Sequence, residues 1–299
     1  MRVILMSLSL LLSSITCTAS DIAIDNPYWN KAVDTRKGLG DVSRFEIITD
    51  VGNQHSVWTF VKFRRKPYIF RYDFDQDMWI AHTNPPFDPK TKGQNIRAQS
   101  DGTLDTVAPG YAYRWDTDHW KKLAGNKIGL PKRSHKITTD VTNDGTAWSL
   151  VMYKRKKARL YHFDPEKNMW VAAGTVPLDP HHNMQLRAHS NNNIFISTPG
   201  NVTKWNSWRK AWNTIVDIKK GLPENAQTIM TDVARNGSAW AVATFKRNPS
   251  HLYRFDTEKH LWIPHAIVPF DKKDKDHNLH VQSNGDVFVT ADTVAYMLR

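Results

Sequence analysis

Six ionisable residues stand at one repeated place in the chain: Asp50, Arg97, Asp140, Arg187, Asp232 and His280. Asp140 and Asp232 lie five residues before the turn glycines Gly145 and Gly237. Arg97 and His280 lie five before Gly102 and Gly285, and Asp50 and Arg187 fall in by alignment. Acid and base alternate along the series. Gathered at one level around an axis, these groups admit two kinds of chemistry. A carboxylate beside an imidazole, such as Asp232 with His280, can pass protons as an acid/base pair, or the set can hold an axial ligand. The same alternation also reads as a salt-bridged ring that neutralises itself and plugs a channel. On that reading the loss of Arg187 is offset in part by the loss of Asp140.

A second set is wholly basic. It comprises Lys62, Arg64, Arg65 and Lys66, then Lys154, Arg155, Lys156, Lys157 and Arg159, then Lys246 and Arg247. The surrounding stretches, Thr59 to Tyr72, Ser149 to Phe163 and Ala241 to Phe255, contain no Asp or Glu. Guanidinium groups grip sulfate, phosphate or carboxylate in a bidentate way. The chemistry is therefore capture of a polyanion, in a chain of formal net charge +12. A generic solvated surface would intersperse the two signs. Lys90, Lys92, His181, His182, Lys272 and Lys273 add positive charge nearby, together with acids.

The elements that must position both sets follow from a repeat. Ile229 to Trp262 reads I-M-T-D-V, N-G-S-A-W, L-Y-R-F-D, L-W, and Ile137 to Trp170 and Glu46 to Trp79 read likewise. Trp58, Trp148 and Trp240 are 90 and 92 residues apart. A weaker copy follows each stretch: I-R-A-Q-S-D-G from Ile96, L-R-A-H-S-N-N from Leu186 and L-H-V-Q-S-N-G from Leu279. The unit is thus about 45 residues, and there are six. Each unit is a series of short runs rich in β-branched and aromatic residues, broken by N-G, D-G or P-G turns. This predicts an all-β chain: a six-bladed β-propeller of four-stranded antiparallel blades. In blade one the strands are expected at Phe45–Val51, Val57–Val61, Tyr68–Tyr72 and Met78–Ala81.

Trp58, Trp148, Trp240, Phe195 and Phe288 align on the second strand and read as packing between blades. Asp105 takes that place in the second blade, with no reason visible in the sequence. Trp29, Trp79, Trp120, Trp170, Trp212 and Trp262 mark the fourth strand. Trp29 is followed nine residues later by Gly38-Leu39, as Trp120 is by Gly129-Leu130 and Trp212 by Gly221-Leu222. The N-terminal segment therefore carries the end of a blade whose beginning lies at the C-terminus. Their pairing is expected to close the ring and remove two sheet edges. In such a blade the hairpins between second and third strands share one face with the connections between blades. The basic set falls on that face.

Residues 1–20 read as a secretory signal peptide, with an apolar run, Val3 to Leu12, too short to span a membrane. One propeller domain is expected over residues 21–299. Cys17, the only cysteine, lies in the leader, so the mature chain offers no disulfide, thiolate nucleophile or zinc-thiolate site. A secreted or periplasmic location follows. Asn201-Val-Thr and Asn236-Gly-Ser match glycosylation sequons. Nucleophile-elbow, zinc-protease, Walker and EF-hand motifs are absent, and His181-His182 and Asp274 to His280 match no standard metal spacing. No cofactor and no metal are expected. The aromatics are periodic and so structural, which argues against nucleic acid.

The pattern D-G-T-x-W, then Y-R-W-D or Y-x-F-D, then Trp about six residues on, resembles the tectonin β-propeller repeat family. Gly221-Leu222-Pro223-x-Asn225 followed by Ile229, Gly237, Trp240 and Tyr253-Arg254-Phe255-Asp256 also resembles the motif of two-component-regulator propellers. The likeness covers the mature chain and lies in turn and core residues. The tectonin resemblance implies a lectin for lipopolysaccharide or another glycan, and no binding residue is carried over from it. The expectation is a lectin-like, non-enzymatic protein that holds an anionic glycan or lipopolysaccharide-like surface on its basic face. A scaffold docking an acidic protein partner is one alternative. An enzyme using the channel, a lactonase or glycan lyase, is another.

Overall fold

The computed structural model describes residues 29–34, 36–39, 46–53, 56–63, 66–88, 90–179, 181–246, 248–270, 277–291 and 293–298. The expected signal peptide lies outside them. The chain opens with β1 (Trp29–Asp34). Blade 1 follows as β2 (Glu46–Asn53), β3 (Ser56–Phe63), β4 (Lys66–Asp73) and β5 (Met78–Thr83). Blade 2 is β6 (Asn95–Ala98), β7 (Leu104–Ala108), β8 (Tyr111–Asp116) and β9 (His119–Gly125). Blade 3 is β10 (Lys136–Val141), β11 (Ala147–Met152), β12 (Arg159–Asp164) and β13 (Met169–Thr175). Blade 4 is β14 (Gln185–Ser190), β15 (Asn193–Thr198), β16 (Asn201–Asn206) and β17 (Ala211–Val216). Blade 5 is β18 (Thr228–Val233), β19 (Ala239–Thr244), β20 (His251–Asp256) and β21 (Leu261–Ile267), and blade 6 begins with β22 (Asn278–Val281), β23 (Val287–Ala291) and β24 (Val294–Leu298). These are six four-stranded antiparallel sheets, and β1 completes the last as its outer strand, pairing with β24 from Trp29 opposite Leu298 to Asp34 opposite Val294. The molecule is a six-bladed β-propeller closed by its two ends.

The aligned aromatics pack each blade on the next. Trp58 sits with Ile96, Ala98 and Leu104 of blade 2, Trp148 with Leu186 and Ile194 of blade 4, and Trp240 with Leu279 and Val287 of blade 6. Phe195 and Phe288 do the same toward blades 5 and 1, and all five are at most 7% exposed. Burying each large side chain contributes roughly 1.5–3 kcal/mol before the entropy of ordering is set against it.

The outer rim has its own repeated lock. The indole N–H of Trp120, Trp170, Trp262 and Trp29 donates to a carbonyl of the preceding blade: Asn84, Asn126, Ile218 and Ile267. The Gly-Leu motif nine residues past Trp29, Trp120 and Trp212 makes a second contact between neighbouring outer strands. Gly129 has φ +89, and a Cβ placed on it would lie 2.0 Å from the carbonyl oxygen of Trp170. Only a bare α-carbon lets that loop approach closely enough for Trp170 N–H to reach Ile128 O at 2.8 Å. Gly38 against Trp79 and Gly221 against Trp262 repeat the arrangement.

Candidate ligand-binding face

The innermost strands β2, β6, β10, β14, β18 and β22 carry the six ring residues. The side chains of Asp50, Asp140, Arg187, Asp232 and His280 each reach a group of the following blade. Asp50 Oδ2 accepts the backbone N–H of Ala98 at 3.0 Å, Asp140 Oδ2 that of Ala188 at 2.9 Å and Asp232 Oδ2 that of Val281 at 2.8 Å. Every ring carboxylate thus fastens an odd blade to the even blade after it. The even blades return the bond through residues read above only as part of a turn motif. Gln99 Nε2 donates to Val141 O at 3.0 Å, His189 Nε2 to Val233 O at 2.7 Å, and Gln282 Nε2 to Val51 O. The signal for these residues was the second letter after the ring residue in I-R-A-Q, L-R-A-H and L-H-V-Q.

The charges pair unevenly. Arg187 Nε lies 2.7 and 2.8 Å from the two carboxylate oxygens of Asp232, and its Nη2 donates to Leu279 O at 3.1 Å. The acid that Arg187 balances is therefore Asp232 in the next blade and not Asp140, because the side chain follows its strand face forward around the ring. His280 Nδ1 stands 2.9 Å from Asp50 Oδ1. Asp232 and His280 are not brought together as acid and base; the Arg187 guanidinium lies between them, 3.2 Å from His280 Nδ1. The third pair is missing. Arg97 is 2% exposed, and none of its guanidinium nitrogens has a hydrogen-bond partner among the described residues. Among the described residues Asp140 accepts only the N–H groups of Val141 and Ala188.

Titration follows this geometry. Burial pushes the Asp50 carboxyl up, but His280, Arg97 and Arg187 around it hold it down at about 2. Burial wins at Asp140, which is raised although Arg97 and Arg187 pull it down. Burial also lowers His189, to about 4, with help from the Arg97 charge.

Asp105 is explained by its cross-strand partner. In blades 1, 3, 4 and 5 the aromatic of the second strand carries a cation or imidazole from the third: Arg71 over Trp58 at 5.7 Å, Lys204 over Phe195 at 5.6 Å, Arg254 over Trp240 at 5.6 Å, and His162 against Trp148 at 5.5 Å; in blade 6 Phe288 faces Met297. In blade 2 the cation is Arg114, and Asp105 replaces the ring as its partner through bonds of 2.7 and 2.9 Å. Arg114 also reaches Asn143 O and Thr142 O of blade 3, at 2.7 and 2.9 Å. The position holds a partner for the third-strand cation, and a carboxylate serves as well as an indole.

Strand direction sends the hairpins between second and third strands to one face. There Lys66, Lys154, Arg155, Lys156, Lys157, Arg159 and Lys246 are exposed. Lys62 is half-buried, with Nζ donating to Thr91 O at 3.2 Å. Arg64, Arg65 and Arg247, like Lys272 and Lys273, lie outside the described residues. The opposite face, formed by the other turns, has an acidic excess: Asp75, Asp77, Asp118, Asp144, Glu166 and Glu258 are exposed on it, among the cations Lys167, Arg209, Lys210, Arg235 and Lys259. The two ends of the propeller thus differ in sign. On the basic face a cavity of about 750 Å³ opens where the strands of blades 4, 5 and 6 begin or end. Gln185, Thr198, Gln227, Thr228, Asn278 and Lys246 supply amides, hydroxyls and an ammonium, over Ile229, Met230 and Phe245. The lining is mainly polar, with a few apolar side chains, and the volume falls within the roughly 300–1,000 Å³ of ligand pockets. Among the described residues no three His, Cys, Asp or Glu side chains cluster as metal ligands would, and no helix is long and apolar enough to cross a membrane.

No family model matches the chain, and no curated protein matches it. Solved structures do. The chain is similar to a gluconolactonase from Xanthomonas campestris, with 16% identity over 92% of this chain and 90% of that one, at a TM-score of 0.53. It is also similar to an oligogalacturonate lyase in complex with manganese, with 11% identity over 90% and 83% and a TM-score of 0.49. A third is the extracellular domain of a putative one component system from B. thetaiotaomicron, with 12% identity, 87% of this chain covered and a TM-score of 0.47. This chain spans about a third of that structure, 34%. At such identities the likeness shows the propeller fold and nothing finer.

Proposed function

We propose that the protein is an extracytoplasmic, lectin-like binding module that holds an anionic glycan or a lipopolysaccharide-like surface on the face of the basic hairpins. The observation that carries this reading is the coincidence of two features on one face: hairpins free of acids and a cavity lined by hydroxyls, amides and Lys246. Exposed cations around a ring sum their potentials, which attracts a polyanion and speeds its encounter. The acidic opposite face orients that encounter. Hydroxyl and amide groups then suit the sugar hydroxyls of the segment that enters the cavity. The inner ring supports placing the ligand on the face, since its carboxylates are engaged in fastening blades. An array of neutral, carboxylated, phosphorylated and sulfated glycans, read at two salt concentrations, tests the reading. Anionic glycans should be retained and should weaken as salt rises. Retention of an acidic protein from the same surface, with no glycan retained, would replace the glycan by a protein partner. A turnover lost in Asp232→Asn would move the function into the channel.

A further inference from the structure

One turn on the acidic face is unlike its equivalents. The tip held by Asp75, Glu166 and Glu258 in blades 1, 3 and 5 is held by Trp208 in blade 4, followed by Arg209 and Lys210. Trp208 is 83% exposed, more than any other large hydrophobic side chain described. The turn keeps its shape without the indole. Asn206 Oδ1 accepts the N–H of Trp208 at 3.1 Å and of Arg209 at 3.0 Å, and the Ser207 hydroxyl donates to Asn191 O. An exposed indole on a pinned turn contributes nothing to the core; single exposed apolar residues are ordinary, and what distinguishes this one is the cleft and the cations beside it.

A cleft of about 420 Å³ lies beside this turn, between blades 3 and 4. Trp148, Trp205 and Ala173 form its wall, and His162, Asn191, Ser207 and Lys210 are its polar groups. Two related clefts exist in blades 1 and 5, lined by Arg71 with His82 and by Arg254 with His265. Blade 3 has His162 and Ala173 at those two positions. Both replacements shorten the side chain and make the lining of this cleft more apolar, while Trp148 and Trp205 behind it are 4% and 3% exposed. Gly174 assists: a Cβ there would lie 2.7 Å from the Trp205 ring, so a larger residue would displace the indole.

We propose that this cleft and the Trp208 turn form a second binding site, separate from the basic face, for a single sugar ring bearing one carboxylate. The apolar C–H face of a pyranose fits against the exposed indole of Trp208. Its hydroxyls match the second amide hydrogen of Asn191, whose Nδ2 also donates to Asp144 Oδ2 at 3.0 Å, and the lone pairs of the Ser207 hydroxyl, whose hydrogen goes to Asn191 O. Lys210, with Arg209 beside it, supplies the cation for the carboxylate. The exposed acids of the same face repel a chain of many charges, so the ligand carries one negative charge where the ligand of the basic face carries many.

Titration calorimetry on the full chain tests this with methyl glucuronide, methyl glucoside and inorganic phosphate as probes. The variants are Trp208→Ala and Ala173→His, the second refilling the cleft as blades 1 and 5 are filled. A variant with Lys154, Arg155, Lys156 and Lys157 replaced by Ser serves as control. Methyl glucuronide should bind wild type and the control alike, and at least ten-fold more weakly to Trp208→Ala and Ala173→His, each folded by circular dichroism. Methyl glucoside and phosphate should bind wild type at least ten-fold more weakly than the glucuronide. The proposal is overturned by no binding to wild type, by unchanged affinity in both cleft variants, or by equal binding of the glucoside or phosphate.

Discussion

His189 offers a test of the inner ring in which nature has already supplied the control. At the equivalent places in blades 2 and 6 the residue is Gln99 or Gln282, and all three side chains donate to the same carbonyl of the next blade. Gln therefore makes the bond at every pH, whereas His makes it as a neutral ring. Burial lowers His189 from about 6.5 to about 4. Above pH 6.5 folded and unfolded chains are both neutral there, and the full stability is present. As pH falls, the unfolded chain takes up a proton that the folded one refuses, and stability is lost until the folded value near 4 is passed. That fall corresponds to about 3 kcal/mol. His189→Gln should thus match wild type at pH 7.5 within about 1 kcal/mol, and should exceed it by about 3 kcal/mol near pH 4. Urea unfolding followed by tryptophan fluorescence at pH 7.5, 6.5, 5.5 and 4.5 reads the difference directly, since the other titrating groups are common to both chains. Parallel curves would refute the reasoning, because they would mean that His189 is free to protonate in the folded state.

Other outcomes follow from the same geometry. Arg187→Met should cost about 3–5 kcal/mol by stranding the buried Asp232 carboxylate, a fall of about 10 °C in melting temperature, and Arg187→Met with Asp232→Leu should recover part of it while Arg187→Met with Asp140→Leu should not. Gly129→Ala and Gly237→Ala impose the same left-handed backbone, φ +89 and +92, but only the first drives a Cβ into a carbonyl oxygen; thermal melts should show about 1–2 kcal/mol lost at Gly237 and clearly more at Gly129. A chain beginning after Lys37 lacks β1 and leaves β24 as a bare edge, so light scattering should show association that the full chain does not.

The period of the tryptophans and the N-G and D-G turns carried the architecture in full, including the closure of β1 on β24, because period and turn chemistry are local properties that survive in the sequence. The positions of the ring were legible for the same reason. Their partners were not. Whether Arg187 reaches Asp140 or Asp232 depends on which side of the strand faces the next blade, and spacing alone is silent on that. Gln99, His189 and Gln282 lay in plain view within the repeated motif, but a polar residue before a turn looks like turn chemistry until a carbonyl is found in front of it. Asp105 made sense only beside Arg114, whose role as a third-strand cation is a cross-strand property. The cavity near Lys246 draws on three blades, and Trp208 falls outside the tryptophan period, so neither had a sequence signature of its own.

The claim that an anionic ligand is held by the basic hairpins is tested most directly by one titration. Lys154, Arg155, Lys156 and Lys157 are exposed on the blade 3 hairpin, and replacing all four by Ser should leave the melting temperature unchanged. Binding of wild type and variant to a heparin-like polymer is then measured between 50 and 300 mM salt (on the order of the range over which screening shortens toward about 8 Å and below). The account predicts weaker binding by the variant and a shallower dependence of affinity on salt. A folded variant that binds as tightly, with the same salt slope, would contradict it.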